Sequence, residues 1–108
     1  MNEYDKSWSQ KLLTEINKMP ISEPFRRPVD PVRDGAPDYF EKVKHPMDFE
    51  TMKKKLANEE YITVQNFIDD INLICDNAIL YNKADSIYGL ICNDIAAEVQ
   101  KFFYEKSD

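Results

Sequence analysis

All six prolines of this 108-residue chain lie between positions 20 and 46. Proline lacks an amide donor and its ring collides with the preceding helical turn, so this window cannot form one continuous helix. Outside the window there is no proline, and Gly89 is the only glycine there. The chain therefore divides into a helical beginning, a long irregular connection over about 20–47, and a helical remainder.

Apolar spacing in the proline-free segments predicts four helices, at about 6–19, 48–58, 63–81 and 86–106. Residues of the types that favour helix N-caps precede the last three: Asp48, Thr63, and either Asp85 or Ser86. No stretch alternates with period two. We therefore expect an all-α fold in which each helix buries one apolar face, a four-helix bundle.

The long connection is unusually rich in apolar and aromatic residues for a loop. They are Ile21, Phe25, Val29, Val32, Tyr39, Phe40, Val43 and Met47. Loops of more than twenty residues in compact domains are usually either disordered or functional. This density predicts a loop that packs on the helices.

Charge and hydropathy narrow the set of partners. Twenty acidic residues against fourteen basic ones give a net charge of −6. A negatively charged surface repels the phosphate backbone of DNA and RNA, so we expect no direct nucleic-acid binding. The run Lys53-Lys54-Lys55 is read as a solvated helix face. There is no apolar run of membrane-spanning length and no signal pattern. The simplest expectation is an intracellular segment without membrane contact. Such a segment can be part of a longer protein.

The sequence offers little catalytic or metal-binding chemistry. His45 is the only histidine, lies beside Pro46 in the irregular window, and has no positioned partner for general-base work. Cys75 and Cys92 lie in apolar helical patterns without a CxxC motif, which disfavours a zinc site or a disulfide scaffold. There is no glycine-rich phosphate loop. We therefore expect no enzyme activity, no cofactor and no metal.

Several short motifs follow one another along the chain in a specific order. They are Pro24-Phe25, Pro28-Val29-Asp30, Pro37-Asp38-Tyr39, Pro46-Met47-Asp48, Asn77 and Tyr81-Asn82. In this order and spacing they resemble the bromodomain family, the four-helix module that binds acetyl-lysine. The resemblance extends from Ser7 to Lys106. It implies a left-handed bundle in which the long loop between helices 1 and 2 and the short loop between helices 3 and 4 flank a pocket, with residues 1–108 forming one domain.

The resemblance also implies roles for individual residues. Asn82 corresponds to the asparagine that anchors the acetyl carbonyl, and Tyr39 to the tyrosine that reaches the same oxygen through a water. The remaining pocket residues are the Pro24-Phe25 floor, the apolar wall Val29, the aromatic flank Tyr81 and the gatekeeper Tyr88.

These residue types suit the expected ligand. Acetylation converts a lysine ammonium into a neutral amide, and an apolar pocket without a carboxylate partner penalises the ammonium by several kcal/mol of lost solvation. The Asn82 amide supplies a neutral donor for the acetyl carbonyl, with a net contribution of about 1 kcal/mol. A small pocket with few peptide contacts implies an affinity of micromolar order or weaker, about −8 kcal/mol at best.

The chain departs from the family pattern at the pocket rim. Glu23 stands where many members have the tryptophan of a Trp-Pro-Phe shelf, which sets the chain apart from the BET type. Asp34 and Ala36 replace larger aliphatic residues, and Phe40 replaces a frequent second tyrosine. We expect a more open and more acidic rim, to which basic histone tails are attracted. The run 70–78 is similar to that of bromodomains attached to AAA ATPases.

Three functions stay open at this point. The first is a nuclear, non-catalytic reader of acetylated lysine on histone tails or other proteins, monomeric as an isolated domain. The second is a helical interaction scaffold whose degenerate pocket binds acetyl-lysine weakly or not at all, as the missing shelf tryptophan suggests. The third is an acyl-lysine hydrolase, which any turnover of an acetylated peptide would support.

Overall fold

The computed structural model describes residues 1–82 and 87–106. Its α-helices are α1 (Glu3–Lys18), α2 (Tyr39–Lys42), α3 (Phe49–Ala57), α4 (Val64–Asn82) and α5 (Ile87–Lys106), with a 3-10 helix over Pro20–Phe25. The described residues contain no β-strand, so the all-α prediction is confirmed. The four helices predicted from apolar periodicity correspond to α1, α3, α4 and α5. None of the described helices is apolar enough over its length to cross a bilayer.

The first helix begins three residues earlier than the periodicity predicts, at Glu3. The Asp5 amide donates to Asn2 Oδ1 over 2.7 Å, so Asn2 caps the helix. Glu3 and Asp5 in the first turn also favour its positive end. The helix ends at Lys18 because Met19 is extended and Pro20 follows.

The predicted caps of the next two helices are confirmed. Asp48 Oδ2 accepts the Thr51 amide over 2.9 Å at the start of α3. Before α4, Thr63 Oγ1 accepts the Asn66 amide over 3.1 Å, and Asn66 Oδ1 accepts the Thr63 amide in return. The cap predicted at Asp85 or Ser86 lies outside the described residues.

One apolar core joins the helices, because α1 packs against α3, α4 and α5 at once. The largest side chains with almost no exposure are Leu12, Ile16, Phe49, Met52, Phe67 and Ile95. Each comes from the apolar face of its helix, as the spacing predicts. In α4, Ile74 is also buried, whereas Ile79 is 37% exposed.

The long connection packs on the helices for most of its length. Ile21, Phe25 and Met47 contact the main core. A second apolar cluster, consisting of Ala36, Tyr39 and Val43 with Val29 and Tyr81 packed against them, joins the connection to the end of α4. Two of the predicted loop contacts are wrong, since Val32 is 91% exposed and Phe40 is 52% exposed. Val32 lies in a turn, and Phe40 lies in α2 with its ring edge-on to that of Tyr39, 5.5 Å apart between centroids.

A polar network holds the connection between α3 and α4. The Tyr61 hydroxyl donates to Asp70 Oδ2 over 2.6 Å, and Lys55 Nζ lies 2.7 Å from the same oxygen. Burial, together with the neighbouring carboxylate, raises the pKa of Tyr61. The hydroxyl therefore remains a donor across the pH range in which the protein is handled.

We expect Tyr61→Phe to lower the free energy of unfolding by about 1–3 kcal/mol, because it removes a hydrogen bond to a mostly buried carboxylate. Tyr104 is 78% exposed, so Tyr104→Phe serves as the matched control and should change stability by less than about 0.5 kcal/mol. Urea denaturation measures both variants. Equal stability of the two would contradict a structural role for the Tyr61 hydroxyl.

Candidate functional site

A cavity of about 410 Å³ opens at the end of the bundle where α4 stops and α5 starts. The 3-10 helix and the long connection form its other sides. It brings together every site residue predicted from the sequence, namely Glu23, Pro24, Phe25, Val29, Asp34, Ala36, Tyr39, Tyr81, Asn82 and Tyr88. It also includes residues that the sequence analysis does not assign to the site, namely Arg27, Arg33, Gly35, Met47, Ile74 and Ala78.

The lining of the cavity combines apolar and aromatic side chains with four charged ones, Glu23, Arg27, Arg33 and Asp34. Ile74 and Ala78 of α4 are the most buried of the added lining residues. The rings of Tyr39 and Tyr81 lie 5.2 Å apart, centroid to centroid, and those of Phe25 and Tyr88 lie 6.1 Å apart. Aromatic pairs at these separations are favourable and position each other. The periodicity of α4 could have identified Ile74 and Ala78, since both lie one or two turns before Asn82 on its buried side.

A hydrogen bond between side chains fixes the end of α4 to α2. The Tyr81 hydroxyl donates to Asp38 Oδ1 over 2.5 Å, and Lys42 Nζ lies 3.3 Å from the other carboxylate oxygen. The hydrogen bond from Tyr81, followed by that from Lys42, lowers the pKa of Asp38. Asp38 is therefore ionised at neutral pH and accepts both donors. This contact places Tyr39, the next residue, beside the cavity.

A second contact fixes the far end of the connection to α4. Asn77 Nδ2 donates to the His45 carbonyl over 2.8 Å, and Asn77 is only 7% exposed. A buried amide donor of this kind fixes the backbone that leads into α3. His45 itself is exposed, in agreement with its interpretation as a surface residue.

Asn82 is the last residue of α4 and lines the cavity. Its side chain carries an amide donor and a carbonyl acceptor, neither of which is charged. Tyr39 also lines the cavity, and burial raises its pKa. The Tyr39 hydroxyl is therefore protonated at neutral pH. The cavity thus combines an uncharged amide, a phenol and apolar walls.

The rim carries both signs of charge, which corrects the prediction of an acidic rim. Arg33 Nε lies 3.0 Å from Asp34 Oδ1, and Arg27 Nη2 lies 3.8 Å from Glu23 Oε1. The hydrogen bond from Arg33 lowers the pKa of Asp34. Arg33, which is adjacent to Asp34, and Arg27, which lies four residues after Glu23, therefore offset the negative charge of these acids. The prediction of an acidic rim took only the acidic residues into account.

Among residues 1–82 and 87–106, no group of three or more His, Cys, Asp or Glu side chains is arranged to hold a metal ion. The polar side chains that line the cavity are Asn82, the tyrosines Tyr39, Tyr81 and Tyr88, and the charged residues Glu23, Arg27, Arg33 and Asp34.

The chain belongs to the bromodomain family, whose model matches residues 9–94. It is 45% identical over 86 residues to an ankyrin repeat, bromo and BTB domain-containing protein of Dictyostelium discoideum, a match that covers 80% of this chain and 10% of the relative. It is 36% identical over 101 residues to a bromodomain-containing protein of Schizosaccharomyces pombe, a match that covers 94% of this chain and 14% of the relative. It is 44% identical over 78 residues to the SWR1 complex bromodomain subunit bdf1 of the same yeast, a match that covers 72% of this chain and 14% of the relative.

The chain thus spans about one seventh or less of the length of these curated relatives. Membership of the family supports, in general terms, an acetyl-lysine-reading and chromatin-associated role for a binding module. The similarity of residues 70–78 to bromodomains attached to AAA ATPases stays a prediction.

We expect Asn77→Ala to lower the free energy of unfolding by about 1–3 kcal/mol relative to Asn72→Ala, measured by urea denaturation. Asn77 loses its bond to the His45 carbonyl, whereas Asn72 lies on the exposed side of the same helix. Both substitutions gain similar helix propensity, so the difference between them isolates the hydrogen bond. Indistinguishable denaturation midpoints would mean that the connection is held by other contacts.

Proposed function

We propose that this domain, taken as one unit over residues 1–108, reads acetylated lysine on histone tails or other nuclear proteins. The observation that carries the proposal is the composition of the cavity. It gathers the uncharged amide of Asn82, three tyrosines and several apolar side chains at the end of the bundle, with the charged residues Glu23, Arg27, Arg33 and Asp34 also in the lining.

Discrimination against unmodified lysine follows from charge. A lysine ammonium entering between Val29, Phe25 and Tyr88 would lose most of its hydration. The carboxylates nearest the cavity mouth, Asp34 and Glu23, are already paired with arginines and so offer it little compensation. The neutral acetyl-lysine amide loses far less solvation, and its methyl group benefits from the apolar surroundings.

The acetyl carbonyl needs a donor once it leaves water. Asn82 Nδ2 is suited to this task, because a neutral donor satisfies an amide carbonyl without attracting an ammonium. Tyr39 would reach the same oxygen through an ordered water, which binds nearly as well as a direct contact. Charge exclusion therefore provides most of the discrimination, and the hydrogen bonds provide orientation.

The alternative is an interaction scaffold in which the cavity is not used. Glu23 at the position of the shelf tryptophan favours it, since Glu23 is exposed and provides no aromatic surface outside the cavity. Its partners would dock elsewhere on the helices and would be indifferent to acetylation. An acyl-lysine hydrolase is the third outcome, and hydrolysis of an acetylated peptide by the purified domain would support it.

We expect the domain to bind acetylated histone peptides with micromolar or weaker affinity and unmodified peptides at least about ten-fold more weakly. Asn82→Ala should reduce binding of the acetylated peptide about ten-fold or more, because the acetyl carbonyl loses its donor. Asn82→Asp should do the same, since it replaces the donor by an acceptor. Isothermal titration calorimetry measures the affinity of the wild type and of both variants for the peptides.

Asn72→Ala in the same helix is the matched control, and it should bind like the wild type. Circular dichroism must show that the fold of each variant is retained. Equal binding of both peptide forms to the wild type would overturn the reader proposal. A pull-down in which Asn82→Ala keeps every partner would favour the scaffold.

We expect Tyr39→Phe to weaken acetyl-lysine binding by about 1 kcal/mol, roughly five-fold, because the water that it orients loses one partner. The ring itself, and its packing against Tyr81, would be kept. Tyr104 is 78% exposed and does not line the cavity, so Tyr104→Phe is the matched control and should leave the affinity unchanged. A Tyr39→Phe variant with wild-type affinity in the same titration would remove the hydroxyl from the site.

A further inference from the structure

A second cavity, of about 450 Å³, lies between α4 and α5 and shares no lining residue with the first. Apolar side chains, among them Ile71, Ile95 and Val99, form most of its surface. We name it the thiol groove, because both cysteines of the chain, Cys75 from α4 and Cys92 from α5, also line it. Nothing in the acetyl-lysine site uses it.

The two cysteines are in direct contact across the helix interface. Both are free thiols. Cys92 Sγ lies 3.9 Å from the Cys75 carbonyl oxygen, to which its thiol donates. The side chains also hydrogen-bond to each other, and this bond lowers the pKa of Cys92 and raises that of Cys75. Cys92 is 5% exposed and Cys75 is half-buried, so the groove is the route by which a small molecule reaches them.

We propose that Cys75 and Cys92 form a redox-active dithiol, which a hydroperoxide entering the thiol groove converts to an intrachain disulfide that joins α4 to α5. The reactive atoms are the two sulfurs, and the reactant class is a small hydroperoxide. The contact across the interface distinguishes this pair from two unrelated buried cysteines, which would be inert.

The reaction balances in two steps. The Cys92 thiolate attacks the terminal peroxide oxygen, the O–O bond breaks, and an alcohol or water leaves after taking up the thiol proton. Cys92 is then a sulfenic acid. The Cys75 sulfur attacks the Cys92 sulfur, its proton passes to the departing hydroxide, and water leaves. Two thiols are oxidised and one hydroperoxide is reduced.

The position of the pair decides what the disulfide would constrain. Cys75 lies about two helical turns before Asn82, and Cys92 lies about one turn after Tyr88. The link would therefore join the two helices that present these residues to the first cavity. The oxidation itself does not depend on acetyl-lysine binding, so it is tested separately.

The test exposes the folded, reduced wild-type domain to hydrogen peroxide, followed by alkylation, intact mass measurement and peptide mapping. We expect a loss of about 2 Da, with a mapped Cys75–Cys92 crosslink in a monomer on gel filtration, reversed by dithiothreitol. The four methionines each gain about 16 Da on oxidation, so the peptide map, rather than the intact mass alone, decides.

Cys75→Ser is the matched variant. Its Cys92 should stop at the sulfenic acid, which dimedone traps, and should form no intrachain link. Because the crosslink is mapped in the wild type, the test does not depend on this variant folding. Oxidation of each cysteine to separate acids, or crosslinks between chains only, would overturn the proposal. Persistence of both free thiols while the methionines oxidise would overturn it as well.

Discussion

The cavity at the end of the bundle exists because a long, proline-rich connection is fastened to the last turns of α4. Two hydrogen bonds attach the connection to this helix. Tyr81 donates to Asp38 in the middle of the connection, and Asn77 donates to the His45 carbonyl near its end. Both donors come from the same helix as Asn82, so one rigid element positions the amide and the loop that faces it.

Charge at the mouth of the cavity is balanced within the chain itself. Asp34 and Glu23 each have an arginine within ion-pair distance, so basic peptides meet a rim of both signs. Exposed pairs of this kind contribute little to stability. If the cavity binds a histone tail as proposed, a rim of mixed charge would neither strongly attract nor strongly repel it. Under the proposed function, selectivity for acetylation would then come from the interior, where an ammonium finds no partner.

Much of the fold and the membership of the site could be predicted from the sequence. Apolar periodicity located α1, α3, α4 and α5, because each buries one face. The resemblance to the bromodomain family, together with the departures from its pattern, pointed to ten residues that line one cavity. Two expectations about the loop are wrong, because the spacing of apolar residues does not show which parts of the chain lie next to one another in the fold. Val32 and Phe40 are apolar, but a residue type does not determine whether a neighbouring layer exists to cover it. The expectation of an acidic rim omits Arg27 and Arg33, although Arg33 is adjacent to Asp34 in the sequence and Arg27 lies four residues after Glu23.

The packing of the connection has a further consequence for cooperativity. Ala36, Tyr39 and Val43 form an apolar cluster of their own, distinct from the core that unites the long helices. A segment held by a small, separate cluster opens at a lower free energy than the body on which it rests. Local opening of the connection is therefore expected to need less free energy than global unfolding. Under the proposed function, the site would open and re-form while the helical frame stays assembled.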